Sequence, residues 1–216
     1  MSAALTLLPF VGSSAFTSTP SCQLVMTQDN FNITEYISNG TKWYSHQQME
    51  YLWQPVKENY CTTAQYTQIS ETRITVRNVA NHNGVNGEVV VSDEQLDALG
   101  GLCGEIVDID DPAKLLVGPC DLTPPVGYGP YWVIAAGPSP DNYEWALISV
   151  GQPNLAGTDG CITGTGDNDG GLWIFTRSPV RNDTVVQQVR GIAADAGFDL
   201  SVLNDVEHGG CTYDEP

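Results

Sequence analysis

Apolar and polar residues alternate with a period of two along most of the chain, and this predicts a series of short strands. In the opening stretch, 31–66, Thr34 to Gly40 reads as a turn of mixed helical and loop character. Trp43-Tyr44 then starts a strand, and Cys61 leads into a second strand ending on Tyr66. Alternation places Trp43, Ser45, Gln47 and Met49 on one face of the first strand, with Tyr44, His46 and Gln48 on the other. Residues 71–80 read as a third strand with Ile74 and Val76 facing one way, and 81–84 (NHNG) as a turn cluster. A short β-rich run at 87–92 and a helical turn at 93–99 follow, then strands at 104–110 and 113–117, with Leu115 and Val117 packed and Lys114 solvated. After a proline- and glycine-rich crossing loop, 121–130, a hairpin joins 131–136 to 143–150 around GPSPDN. Trp132 and Ile134 share one face of its first arm, and Trp145 and Leu147 one face of its second. The last strand, LWIFTRSP at 172–179, sets Trp173, Phe175 and Arg177 on a common face.

That makes eight strands with local up-and-down connectivity. One helix follows at 180–197, where Val185, Val189, Ile192 and Ala196 recur at helical spacing and Gly197 supplies the stop. A short closing strand is expected at 199–203. The fold class expected is therefore all-β: an eight-stranded antiparallel up-and-down barrel with one C-terminal α-helix packed on its wall. Eight antiparallel strands closed on themselves enclose room for side chains or for one small ligand.

An arginine on the same face as two aromatics is costly unless its charge is paired or stacked. Stacking on an indole is one solution. With Trp43 opening the first strand and Arg177 closing the last, the chain resembles the lipocalins, in particular the apolipoprotein D-like and bacterial branch. The resemblance runs from about residue 31 to 208 and rests on the order of NGTKWY, CTTAQY, PAKLLV, GPYWVIAAG, NYEWALISVG, LWIFTRSP and a helix before GFDLSVL. It implies that Trp43 and Arg177 close the base of the barrel. One departure stands out: the family's glycine two places before the tryptophan is Thr41 here, with Gly40 one place earlier, which suggests a one-residue insertion. Residues 84–104 look like an insertion relative to compact lipocalins and are a candidate surface for a protein partner.

Charged residues are only 16% of the chain, yet the net charge is −18, so the surface is acidic almost throughout. That argues against nucleic acid and anionic membranes as partners. The six cysteines lack the paired spacings of zinc or redox sites, and an even, widely spaced set suits three disulfides in an oxidising compartment. Six cysteines allow fifteen pairings. The resemblance implies Cys61–Cys211 and suggests Cys22–Cys161; Cys103 and Cys120, flanking an expected strand pair, are then left for each other. Residues 1–15 resemble a secretory leader, 16–30 an extension, 31–208 the lipocalin domain and 209–216 a tail tethered by Cys211. Ser14-Ala15-Phe16 also resembles a plastid-targeting junction, so a thylakoid lumen is an alternative to secretion. Asn32, Asn39 and Asn182 begin glycosylation sequons.

No catalytic motif is present: no nucleophile elbow, metalloprotease helix or phosphate loop. His46, His82 and His208 are scattered, and His46, opposite Trp43, reads as a solvated strand residue. Asp167-Asn168-Asp169-Gly170 invites a calcium reading but lacks the full ligand set of a calcium loop, so no metal site and no cofactor are assigned. The expected function is binding and transport of a small hydrophobic ligand (a lipid, sterol, retinoid or carotenoid). The expected ligand wall is Tyr66, Ile74, Val76, Leu115, Trp132, Ile134, Trp145, Leu147 and Trp173. Of these, Tyr66 and Trp173 match pocket positions of the apolipoprotein D-like branch. The alternatives are rings that merely fill the barrel, a xanthophyll de-epoxidase-like enzyme, and a structural subunit of a larger assembly.

Overall fold

A computed structural model describes residues 22–38, 41–98 and 100–214. The leader segment 1–15, the 14–16 junction and the Asn39 sequon lie outside the described residues. Eight strands form the barrel: β1 Trp43–Met49, β2 Tyr60–Gln68, β3 Arg73–His82, β4 Leu102–Ile106, β5 Lys114–Pro119, β6 Gly129–Ser139, β7 Asn142–Ser149 and β8 Leu172–Thr176. Each pairs antiparallel with the next, and β8 pairs with β1, so the sheet closes. Closure leaves no unpaired edge along the wall. The short helix α1, Ile33–Ile37, precedes β1, α2, Asp93–Ala98, lies between β3 and β4, and α3, Asp183–Asp195, follows β8.

The helix is shorter than its apolar run because Asn182 caps it, accepting from the amides of Thr184 and Val185. Its fully buried residues are Val186, Val189 and Ala193, with Val185, Ile192 and Ala196 flanking them. After a 3-10 turn at Leu200–Val202, strand β9, Leu203–Asp205, pairs with β1, placing the closing strand later than the sequence suggests. At the other terminus, Asn32 caps α1 by accepting from the Glu35 amide.

Three disulfides are formed: Cys22–Cys161, Cys61–Cys211 and Cys103–Cys120. Such bridges persist in an oxidising compartment. Cys61–Cys211 spans 150 residues and holds the C-terminal tail against β1 and β2. Serine at both positions is expected to lower unfolding free energy by about 2–4 kcal/mol, measured by urea titration.

The tail changes the surroundings of His46. His46 does point outward from β1, but it is only 1% exposed because residues 206–213 lie over it. Its Nε2 lies 2.9 Å from both Thr176 Oγ1 and the Ser178 carbonyl, and its ring is 5.0 Å from that of His208. His208 Nε2 contacts the Ser45 carbonyl at 2.7 Å. Burial lowers the pKa of both, His208 to about 4, although the backbone contacts act in the opposite direction. Unfolded histidine titrates near 6.5, so below that pH the unfolded chain takes up a proton that the folded chain refuses. Stability is complete above pH 6.5 and falls as pH drops towards 4, by roughly 2–3 kcal/mol for His208 alone. Urea unfolding at a series of pH values checks this: His208→Gln should flatten the acid side of the profile.

Candidate functional site: the barrel interior

Side chains divide into two clusters, one inside the wall and one between the wall and α3. The inner cluster contains Tyr36, Trp43, Tyr66, Ile74, Val76, Leu115, Val133, Ile148 and Phe175, with Leu102, Val117, Tyr131 and Trp173 packed against it. The outer cluster contains Ile134, Trp145, Leu147, Leu172, Ile174 and Val189, with Trp132 packed against it.

Four residues expected in the ligand wall therefore sit elsewhere. Ile134, Trp145 and Leu147 are buried under α3 and its surroundings, and Trp132 lies half-buried on the same outer side. Alternation separates two faces but does not say which is inner. On this hairpin the helix makes the outer face as apolar as the inner one. Trp145 lies flat on that outer wall against Gly137, where a Cβ would fall 2.3 Å from the indole. Trp132 carries Lys114 Nζ at 5.1 Å from its ring and borders a surface cavity of about 440 Å³ with Pro130, Val150 and Leu155. A second surface cavity, about 620 Å³, lies between β3 and the 84–104 segment, lined by Arg77, Leu96 and Gly101 among others.

The other expected residues do face inward. Tyr66, Ile74, Val76 and Leu115 are between 2% and 4% exposed, so the deep half of the barrel is filled by the chain's own side chains. Tyr36 and Ile37 rise from α1 to complete that packing. Tyr36, Tyr66 and Tyr131 form a hydroxyl chain, with Tyr131 Oη 2.7 Å from each of the other two. Burial raises all three pKa values, that of Tyr66 to about 12, so the hydroxyls stay protonated.

The floor is built on Trp43, which has no exposed surface. The guanidinium carbon of Arg177 lies 3.7 Å from the centre of its ring. Arg177 Nη2 donates to the carbonyls of Tyr36 at 2.7 Å and Glu35 at 3.2 Å, and Nη1 to that of Thr41 at 2.9 Å. Nε donates to the Tyr143 carbonyl at 3.4 Å, and Trp43 Nε1 donates to the Tyr36 carbonyl at 3.0 Å. The Thr41 departure thus still supplies a carbonyl to the arginine.

Towards the opposite end, Leu102, Val117, Tyr131 and Trp173 are only partly buried. Tyr51, in the loop between β1 and β2, meets Trp173 edge-on at 5.7 Å. Gly171 gives the Trp173 ring its place, since a Cβ there would fall 2.1 Å from it. A register shift between Ser45 and Gln47 alters the expected faces of β1. Beyond it, Gln47 pairs with outer Ile174 and Gln48 with inner Trp173, while Met49 joins the outer cluster. Sequence reasoning missed Gln48 as an interior residue because period two carries no sign of a bulge.

The chain forms a closed antiparallel barrel of eight strands, floored by an indole under an arginine and flanked by one C-terminal helix. It is the lipocalin fold. Lobster apocrustacyanin A1 superposes with a TM-score of 0.52 at 11% identity, covering 86% of this chain and 88% of that one. Apocrustacyanin C2 gives 0.52 at 12% identity over 81% and 80%, and the cockroach allergen Per a 4 gives 0.52 at 15% over 87% and 94%. No family model and no curated protein matches the sequence. At such identities the likeness concerns fold alone.

Among the described residues no group of three or more potential metal ligands comes together. In the 157–171 loop, Asp169 Oδ1 accepts from the Gly166 amide at 2.7 Å, an internal turn bond. Among the same residues no helix is long and apolar enough to cross a membrane.

Proposed function

We propose that this protein binds a small hydrophobic molecule, of the size of a lipid, sterol, retinoid or carotenoid end group, in the upper part of its barrel. The observation that carries this reading is the asymmetry between the two ends. The end at Trp43 is sealed by Arg177 and α1, whereas Leu102, Val117, Tyr131 and Trp173 keep partly exposed apolar surface continuous with the core. Apolar lining with a few fixed polar groups is the usual make-up of a small-molecule site. Because the deep half is packed, the ligand sits above the tyrosine chain and passes Tyr51 on the way in. Trp173 stands in that space as a built-in reporter.

Titration of a fatty acid, a sterol, a retinoid and a carotenoid against intrinsic tryptophan fluorescence tests the proposal. Saturable quenching by at least one class is expected, with a smaller change in Trp173→Phe. Absence of quenching with every class overturns it.

A further inference from the structure

Gln48 is wholly buried and, as the register partner of Trp173, projects onto the inner face of the barrel. Its Nε2 donates to Asn59 Oδ1 at 2.8 Å, and Asn59 Nδ2 donates onward to the Asp205 carbonyl at 3.5 Å. The 2.8 Å bond engages the Gln48 amide nitrogen. It leaves Gln48 Oε1 buried and without a hydrogen-bond donor. The one other such atom among the described residues, Arg73 Nε, lies 2.9 Å from a Glu105 carboxylate oxygen, so the glutamine oxygen stands apart. A buried acceptor with no donor is unfavourable, and an apolar residue of similar shape would avoid that cost. Glutamine at an interior position beside the partly exposed Trp173 therefore points to a donor supplied by something that enters the barrel.

The nature of that donor is constrained by its surroundings. An anionic head group would bring negative charge to a carbonyl oxygen in a chain of net charge −18. Arg177 offers an anion no relief, since its fork already donates to four backbone carbonyls and its face is pressed on Trp43. A pure hydrocarbon would leave Oε1 unpaired. A neutral hydroxyl satisfies it, because it donates to Oε1 without carrying a charge into the barrel.

We infer that the molecule held in the barrel is an alcohol: an apolar chain or ring system whose hydroxyl donates to Gln48 Oε1 next to Trp173. This rests on the barrel-binding reading above and narrows its ligand class. The test is calorimetric titration of the intact protein with decanol, its methyl ether and decanoate. The ether keeps the oxygen and the chain but has no proton to donate. Decanol is expected to bind about tenfold tighter than the ether, the scale of one buried hydrogen bond, and tighter than decanoate. Gln48→Met, which keeps length and flexibility, should bring decanol and ether to within about twofold of each other, with near-ultraviolet circular dichroism confirming a folded barrel. Equal binding of decanol and ether by the unaltered protein, strongest binding of decanoate, or a preference that survives in Gln48→Met each overturns the inference. Those three comparisons need a barrel that binds, so they sink the hydroxyl assignment alone. If none of the three compounds binds while another apolar class quenches tryptophan fluorescence, the alcohol assignment falls and the barrel reading stands. If nothing binds in either experiment, both fall.

Discussion

Arg177→Met is expected to lower unfolding free energy by about 3–5 kcal/mol, among the largest single-residue effects in this chain. The guanidinium is a hub: it caps the Trp43 ring at 3.7 Å and donates to the carbonyls of Glu35, Tyr36, Thr41 and Tyr143. Those carbonyls belong to α1, the turn before β1 and the start of β7, so one side chain fastens three segments to the barrel floor. Methionine keeps apolar contact with the indole but leaves the acceptors without their donor, at about 1–3 kcal/mol for each that stays buried. Arg177→Lys should recover only part of the loss. A single ammonium carries charge but lacks the planar fork that spans several carbonyls while stacking on a ring. Urea unfolding followed by tryptophan fluorescence gives the ranking: unaltered protein, then lysine, then methionine. A methionine variant within about 1 kcal/mol of the unaltered protein would contradict the role given to this residue.

The second large effect is expected at Tyr131→Phe, which removes one oxygen and keeps the ring. Tyr131 Oη bridges Tyr36 Oη and Tyr66 Oη at 2.7 Å on each side, so its loss removes two buried hydrogen bonds at once. The expected cost is about 2–4 kcal/mol. Tyr66→Phe removes an end of the chain and leaves the Tyr36–Tyr131 bond intact, for about 1 kcal/mol. The contrast between middle and end is the diagnostic, because loss of packing alone would make the two substitutions alike. Thermal and urea unfolding of the two single variants, with the Tyr66→Phe/Tyr131→Phe double variant as a check on coupling, measure it.

How far the sequence reaches can be judged residue by residue. The eight strands were legible because most of them alternate cleanly. Trp43 and Arg177 were legible as partners through the lipocalin resemblance, to which the cost of an unpaired inward arginine lends a physical reason. Cys61–Cys211 and Cys22–Cys161 follow the pairing that the lipocalin resemblance implies and suggests, and Cys103–Cys120 is the pair those two leave over. What periodicity could not supply was the inside of the hairpin formed by β6 and β7. Trp132, Ile134, Trp145 and Leu147 are as apolar as an interior face would be, but α3 packs against the outer wall there. His46 departs from the solvated position that alternation predicts for a related reason. Its outward direction was right, but its burial comes from a tail more than a hundred residues later in the chain. Alternation places Gln48 on the face opposite Trp43, and only the shift between Ser45 and Gln47 turns it inward. Each of these depends on a contact between distant segments or on a single added residue, and neither leaves a mark in local alternation.

The seam between β1 and β8 pairs Tyr44 with Thr176, and the Cys61–Cys211 bridge reaches further still. As the chain leaves the ribosome, β1 therefore waits, with one edge bare, until β8 has been made. Pairing over such separations is slow to nucleate, and bare edges invite neighbouring chains to add on. A nascent chain bearing strong like charge along its length repels its neighbours during that interval, so the acidity that surrounds the finished barrel also keeps unfinished copies apart.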